Sequence, residues 1–186
     1  MRGLSSCVLC LTLILPVSAC SPQKIHQTVT NSLRLSSTTT NGGNIPDRCG
    51  CKGAGASPEL SWTDPPPGTK GFALVMDDRD AALGHLHRHY FVHWLAFDLD
   101  PTRRELPEAI AKQSLGVDER LGSNDVPTLG YLGPCPDSGS THHYALTLYA
   151  LDVRLGLPEG TNGRVLLKAI DGHILARGEL MGTYTR

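Results

Sequence analysis

A mainly β fold is what this sequence predicts, and three observations predict it. Its 20 glycines and 13 prolines in 186 residues place turn formers at short intervals. Between them lie apolar runs of strand length at 71–76, 90–99, 144–153 and 173–184. A sustained helical pattern occurs in one stretch, 162–170, which ends in Asp171-Gly172. With 40% apolar and 19% charged residues the chain reads as globular, and its length suits one domain with a full core. A formal net charge of −1 excludes a global field for steering nucleic acid, so any anion site must be local.

The first 19 residues stand apart from the fold. Arg2 precedes an apolar run over 8–17, followed by Ser18-Ala19. That is the pattern of a secretory signal peptide, with an apolar run too short for a transmembrane helix. Val17-Ser18-Ala19-Cys20 further resembles the lipobox of bacterial lipoproteins, in which cleavage leaves a lipidated first cysteine. The expected organisation is therefore a signal peptide over 1–19, lipidated Cys20 with a polar tether over 20–32, and a single domain over 33–186. Such a protein is exported and anchored to a bacterial membrane, facing the periplasm or the exterior. Ser21 after the cysteine favours the outer membrane.

Within the domain, Leu33-Arg34-Leu35-Ser36 alternates and meets the turn Asn41-Gly42-Gly43-Asn44, which predicts a short first strand. A loop over 45–57 leads to Ser57-Pro58-Glu59-Leu60-Ser61-Trp62, and the turn Pro65-Pro66-Pro67-Gly68 precedes the core strand 71–76. That strand is expected to end in Asp77-Asp78-Arg79-Asp80, where clustered carboxylates either bind a ligand or solvate a loop. The strand 90–99 carries His93 at its middle; a lone strand histidine is usually a hydrogen-bonded core residue. If it extended backwards, His85, His87, His89 and His93 would share a face, a pattern able to bind zinc or copper. A short helical turn is expected over 106–115 and a long irregular connection over 116–133, the kind of loop that usually carries function. The stretch 130–144 then places Cys135, His142, His143 and Tyr144 at the mouth of the next strand, 144–153. The final strand is 173–184.

Cys7 and Cys10 fall in the signal segment, leaving Cys49, Cys51 and Cys135 in the domain. One disulfide is expected in an oxidising compartment. A Cys51 to Cys135 bridge would join residues 84 apart and stabilise by about 4 kcal/mol; whether Cys49 or Cys51 pairs stays open. Cys49-Gly50-Cys51 lacks the spacing of a redox or zinc motif, and no nucleotide loop or nucleophile elbow occurs.

Four segments in order resemble the phosphatidylethanolamine-binding protein family, in its bacterial Raf-kinase-inhibitor-like branch. They are Ser57 to Trp62 as quoted; Asp77-Asp78-Arg79-Asp80-Ala81 with Val92-His93-Trp94; Gly130-Tyr131-Leu132-Gly133-Pro134-Cys135-Pro136 with His142-His143-Tyr144; and Gly172-His173-Ile174-Leu175-Ala176 through Gly182-Thr183-Tyr184. The resemblance implies a central antiparallel sheet packed on a second sheet, with a few peripheral short helices. It also implies an anion pocket at the sheet edge, formed by Asp78, Asp80, His93, Gly133, Pro134, His142 and Tyr144. The imidazoles of His93 and His142 and the Tyr144 hydroxyl would donate to a phosphate-like group, and Asp78 would orient a histidine and hold it cationic. The family's Asp-Pro-Asp-Ala-Pro loop here reads Asp78-Arg79-Asp80-Ala81-Ala82, its Cys-Pro-Pro step reads Cys135-Pro136-Asp137, and Phe91 stands where tryptophan is frequent. Arg79 is thereby offered as an added phosphate-binding charge, and Asp137 as its offset.

The expected function is a non-enzymatic binding protein without cofactor or metal. Its ligand would be a small anion or a phospholipid head group, its membrane contact the lipidated Cys20, and it could engage a protein partner; nucleic acid is not expected. The alternative is a hydrolase of phosphate or acyl esters, using the same pocket with metal or acid/base groups. Acylated Cys20 is testable by intact mass: exported protein is expected to begin at a lipid-modified Cys20, and an unmodified thiol there refutes the anchor.

Overall fold

The computed structural model describes residues 33–40, 43–82, 90–110 and 112–186. The expected signal segment over 1–19, the expected lipidation site and tether over 20–32, and the run His85 to His89 lie outside the described residues. Five strands form the main sheet: β3 (Gly71–Ala82), β4 (Tyr90–Leu99), β6 (Arg120–Leu121), β7 (Thr141–Leu151) and β8 (Ile174–Thr185), in the spatial order β6-β4-β3-β7-β8. Three short strands, β1 (Arg34–Ser36), β2 (Leu60–Thr63) and β5 (Glu105–Leu106), make a second sheet in the order β1-β2-β5. Neighbouring strands within both sheets are antiparallel. Among the described residues, one helix, α1 (Gly163–Ile170), and two short 3-10 turns, Asp47–Cys49 and Lys112–Ser114, complete the elements.

The apolar run of β3 is continuous because both of its faces are covered. Phe72, Leu74 and Met76 join Trp62, Trp94, Leu146 and Leu148 in the main core. Ala73 and Val75 turn to the opposite face and pack with Leu95, Phe97, Leu166 and Ile170, the last two from α1. A strand buried on one face alternates apolar with polar; one buried on two does not. Asn162 starts α1 as its N-cap, accepting from the Val165 N–H at 3.1 Å.

Two strand limits differ from expectation. β3 runs through the acid cluster to Ala82, and β7 begins at Thr141 and so includes His142 and His143. The reason is main-chain pairing: β3 and β7 stay in register from Gly71↔Leu151 to Asp78↔Tyr144, and β7 pairs with β8 back to Thr141↔Thr185. Ladder hydrogen bonds of central strands carry polar residues that hydrophobic patterning alone assigns to loops.

The connection 116–133 is anchored by a buried carboxylate. Glu119 accepts from Arg103 Nε and Nη2 at 2.7 and 2.6 Å, and from the N–H groups of Asp100 and Gly116 at 2.8 and 2.6 Å. Removing one partner of such a pair strands the other charge. Glu119→Ala is therefore expected to cost about 3 kcal/mol, read as a lower urea midpoint.

Candidate functional site

Three adjacent strands bring the titratable groups together. Asp78 sits on central β3 on the same face as Phe72, Leu74 and Met76, and is 3% exposed. Its carboxylate is satisfied locally: Oδ1 accepts from the N–H groups of Asp80 at 2.9 Å and Ala81 at 3.0 Å, and Oδ2 accepts from His142 Nδ1–H at 2.7 Å. His142 and Tyr144 share one face of β7 by the two-residue period. The Tyr144 hydroxyl is buried beside the Asp78 carboxylate, near enough to interact with it but without a well-formed hydrogen bond. Burial, then the charge of Asp78, push it well above the usual phenol range, so it remains a hydroxyl.

His93 reaches the same place through a β-bulge. Met76 pairs with Trp94 and Asp77 with Val92, which leaves His93 as the extra residue of β4. A bulge re-aims a side chain that regular alternation would send to the other face. The imidazole lies edge-on to Tyr144, with ring centroids 5.2 Å apart, and its Nε2 stands 4.0 Å from Asp78 Oδ2. Its Nδ1 is 2.9 Å from the Leu132 carbonyl, which can only accept, so Nδ1 carries the proton. Burial holds the His93 pKa below the ordinary imidazole value, and the Leu132 carbonyl and the Asp78 charge do not offset it. This corrects the expectation of a donor: in the neutral ring the other nitrogen, Nε2, is an acceptor.

The remaining wall is the segment 130–136, tied down at four points. Leu132 N–H donates to the His93 carbonyl at 2.9 Å, and Tyr131 Oη–H to the Cys49 carbonyl at 2.8 Å. Cys51 N–H donates to the Pro134 carbonyl at 2.9 Å, and a disulfide joins Cys51 to Cys135 with Cα atoms 5.3 Å apart. Gly133 is required by the close approach, because a Cβ there would lie 2.7 Å from the Cys49 carbonyl oxygen. Cys49 itself is a buried free thiol whose pKa burial raises.

These pieces enclose a cavity of 370 Å³, to which Asp78, His93, Gly133, Cys135, His142 and Tyr144 contribute. Two of the expected residues do not line it. Asp80 is exposed and accepts from the His143 N–H at 2.6 Å and Nδ1–H at 2.8 Å, while Pro134 is buried behind the wall. Arg79 does not supply the suggested phosphate-binding charge either: it bonds Asp77 at 2.5 Å and reaches Glu179 at 3.5 Å. Ala81, Phe91, Val126, Leu132 and Pro136 add an apolar rim, and the exposed Asp137 adds a second carboxylate at the mouth; of these only Val126 lay outside the residues quoted from the sequence. Two larger clefts, of 470 and 510 Å³, lie around Glu119, but their Arg103 and Arg154 are already paired with Glu119 and Asp118. Among the described residues, no group of three or more His, Cys, Asp or Glu side chains is arranged to hold a metal ion.

Fold and cavity together define a class: a two-sheet β domain with one small, mostly apolar pocket whose floor is a buried carboxylate and histidines. The phosphatidylethanolamine-binding protein family profile matches residues 35–185, and the chain belongs to that family. A UPF0098 protein of Pyrococcus horikoshii is 38% identical over 160 residues, covering 83% of this chain and 77% of its own. A homologue of the family from Chlamydia trachomatis, of known crystal structure, is 36% identical with a TM-score of 0.73, covering 84% of this chain and 99% of its own. Escherichia coli YbcL, described as a member of the mammalian family, superposes with a TM-score of 0.76 at 25% identity, over 83% of this chain and 99% of its own.

The lowered His93 pKa has a signed consequence. The unfolded ring takes up its proton near pH 6.5 and the folded ring only at lower pH, so its contribution to stability is intact above about pH 6.5 and is lost as pH falls through the folded value. His93→Phe is expected to flatten this loss between about pH 7 and 5, measured as urea midpoints at each pH. An unchanged pH profile would count against a neutral His93.

Proposed function

We propose that this chain is an exported, lipid-anchored binding protein whose pocket holds a small phosphate-bearing group, either free or as a phospholipid head group, and through which it can modulate a protein partner. The observation that carries the reading is the saturation of Asp78. A bare buried carboxylate would repel an anion, but this one already accepts three hydrogen bonds. Its role is to orient His142, whose Nδ1–H it takes; as imidazolium the ring then has its Nε2–H left to donate to the ligand. The Tyr144 hydroxyl, buried beside Asp78 without a well-formed hydrogen bond, is a second donor that a ligand oxygen can take. The apolar rim of Phe91, Leu132 and Pro136 excludes water and strengthens both bonds.

The membrane part of the reading rests on Val17-Ser18-Ala19-Cys20 and the polar segment after it, with the domain facing the periplasm or exterior and the outer membrane favoured. A hydrolase would draw on the same Asp78 and His142 pair. Among the described residues lining the cavity there is no serine or threonine, and the one cysteine, Cys135, is held in the disulfide. A binding role therefore uses the groups as they stand.

Titration calorimetry of the purified protein with inorganic phosphate and with phosphoethanolamine is expected to give weak, saturable binding. His142→Ala is expected to weaken it about tenfold, the worth of one hydrogen bond to a charged group. His173→Ala, whose ring pairs with Asp152 at the opposite end of the sheet, is expected to leave it unchanged. Equal affinity of wild type and His142→Ala would refute the role of the pocket, and metal-dependent turnover of phosphate or acyl esters would replace binding with hydrolysis.

A further inference from the structure

We propose that the outer edge of β8 is a self-pairing surface, to which a second copy of this chain adds its own β8 antiparallel about Gly178. β8 is the last strand of the main sheet and pairs with β7 on one side. Thr183 shows which main-chain groups face the other side: its N–H donates to the Gly43 carbonyl at 3.0 Å, and its carbonyl accepts from the Ile45 N–H at 2.7 Å, both away from β7. The groups of an antiparallel strand point to alternate sides, and the register with β7 is unbroken from Thr185 to Ala176. Arg177, Glu179 and Met181 therefore also turn their N–H and C=O groups outward. Among the described residues these groups have no main-chain partner, and all three residues are exposed. Such an edge is a template for another extended strand.

The side chains choose the strand and its register. Arg177 and Glu179 share the outer face of the sheet by the two-residue period. Among the described residues Arg177 has no ion-pair partner, and Glu179 is held only by contacts of 3.5 Å to Arg79 and Thr147. Pairing centred on Gly178 sets Arg177 of each copy directly opposite Glu179 of the partner subunit, so each charge meets its opposite on both sides of one two-fold axis. Centring on Glu179 would oppose like charges instead. Centring on Leu180 would call on the main-chain groups of Thr183, which Gly43 and Ile45 already hold.

The contact is short, a few main-chain hydrogen bonds with exposed ion pairs, so the free dimer is weak. The start of the domain lies beside the axis: a Cβ on Gly178 would stand 2.7 Å from the Leu33 carbonyl oxygen. The two copies of Leu33 therefore fall on one face of the joined sheet. On the lipid-anchor reading above, both chains can run from there to one membrane, which raises their effective concentration.

The test is sedimentation velocity of the purified protein over about 10 μM to 1 mM, the range of a weak association. Wild type is expected to pass from monomer to dimer across the series. Arg177→Glu and Glu179→Arg each oppose like charges on both sides of the axis and should weaken the dimer at least about tenfold. A mixture of the two variants restores opposite charges and should associate within about threefold of wild type. Exchange of the Arg177 and Glu179 amides should slow as wild type is concentrated. Both variants should bind phosphoethanolamine as wild type does, because His142 pairs with Tyr184, about 20 Å along the strand from Gly178; failure of the pocket reading and failure of the dimer are thus read separately. Wild type that stays monomeric would overturn the proposal, as would a dimer that neither substitution weakens. Amides protected equally at every concentration would assign the edge to this chain's own residues and overturn it too.

Discussion

The site depends on one buried carboxylate and the three donors that make its burial possible. Asp78 lies in the central strand among core residues, where an unpaired charge would cost several kcal/mol. Two of its donors come from its own chain: after Asp78 the strand bends so that the Asp80 and Ala81 N–H groups return to Oδ1. The register of β3 against β4 is broken over this same interval, between Asp78 and Ala82. The third donor is His142 from the neighbouring strand. Satisfying Asp78 therefore shapes the end of β3, fixes the orientation of His142 and opens a gap at the sheet edge. The cavity occupies that gap.

The rest of the site is built outward from there. The bulge in β4 turns His93 toward Asp78, and the Leu132 carbonyl decides which nitrogen meets the cavity. Leu132 can do so because its segment is pinned on both flanks, by Tyr131 to Cys49 and by Cys135 to Cys51. The disulfide thus does more than restrict the unfolded chain: it holds the wall that sets the histidine tautomer.

Much of the fold was legible because its cause is local. β4 was predicted at its observed limits because its apolar run is bounded by polar residues, and α1 because Asn162 caps an amphipathic turn and Gly172 follows it. The ends of β3 and β7 were not, since Asp77 to Asp80 and His142-His143 carry loop-like composition and are strand only through their partners. In the site, Asp78, His93, Gly133, His142 and Tyr144 were identified through the order of short motifs, and the structure gathers them around one cavity. Asp80 and Pro134 belong to the same motifs but serve neighbours: Asp80 holds His143, and the Pro134 carbonyl holds Cys51. Motif membership cannot separate a residue that faces a cavity from one that supports it.

By itself the sequence determined the mainly β class, the strand and helix kernels, the family, and the set of side chains from which a pocket could be made. Those follow from composition, periodicity and motif order, all of them properties of residues near each other in the chain. Only the tertiary structure decided that Cys51 and not Cys49 meets Cys135, that His93 is a bulge residue with an acceptor facing inward, and that Arg79 spends its charge on Asp77 and Glu179. Each of these is a contact between distant segments, where burial and partner geometry set the protonation, pairing and direction of a side chain.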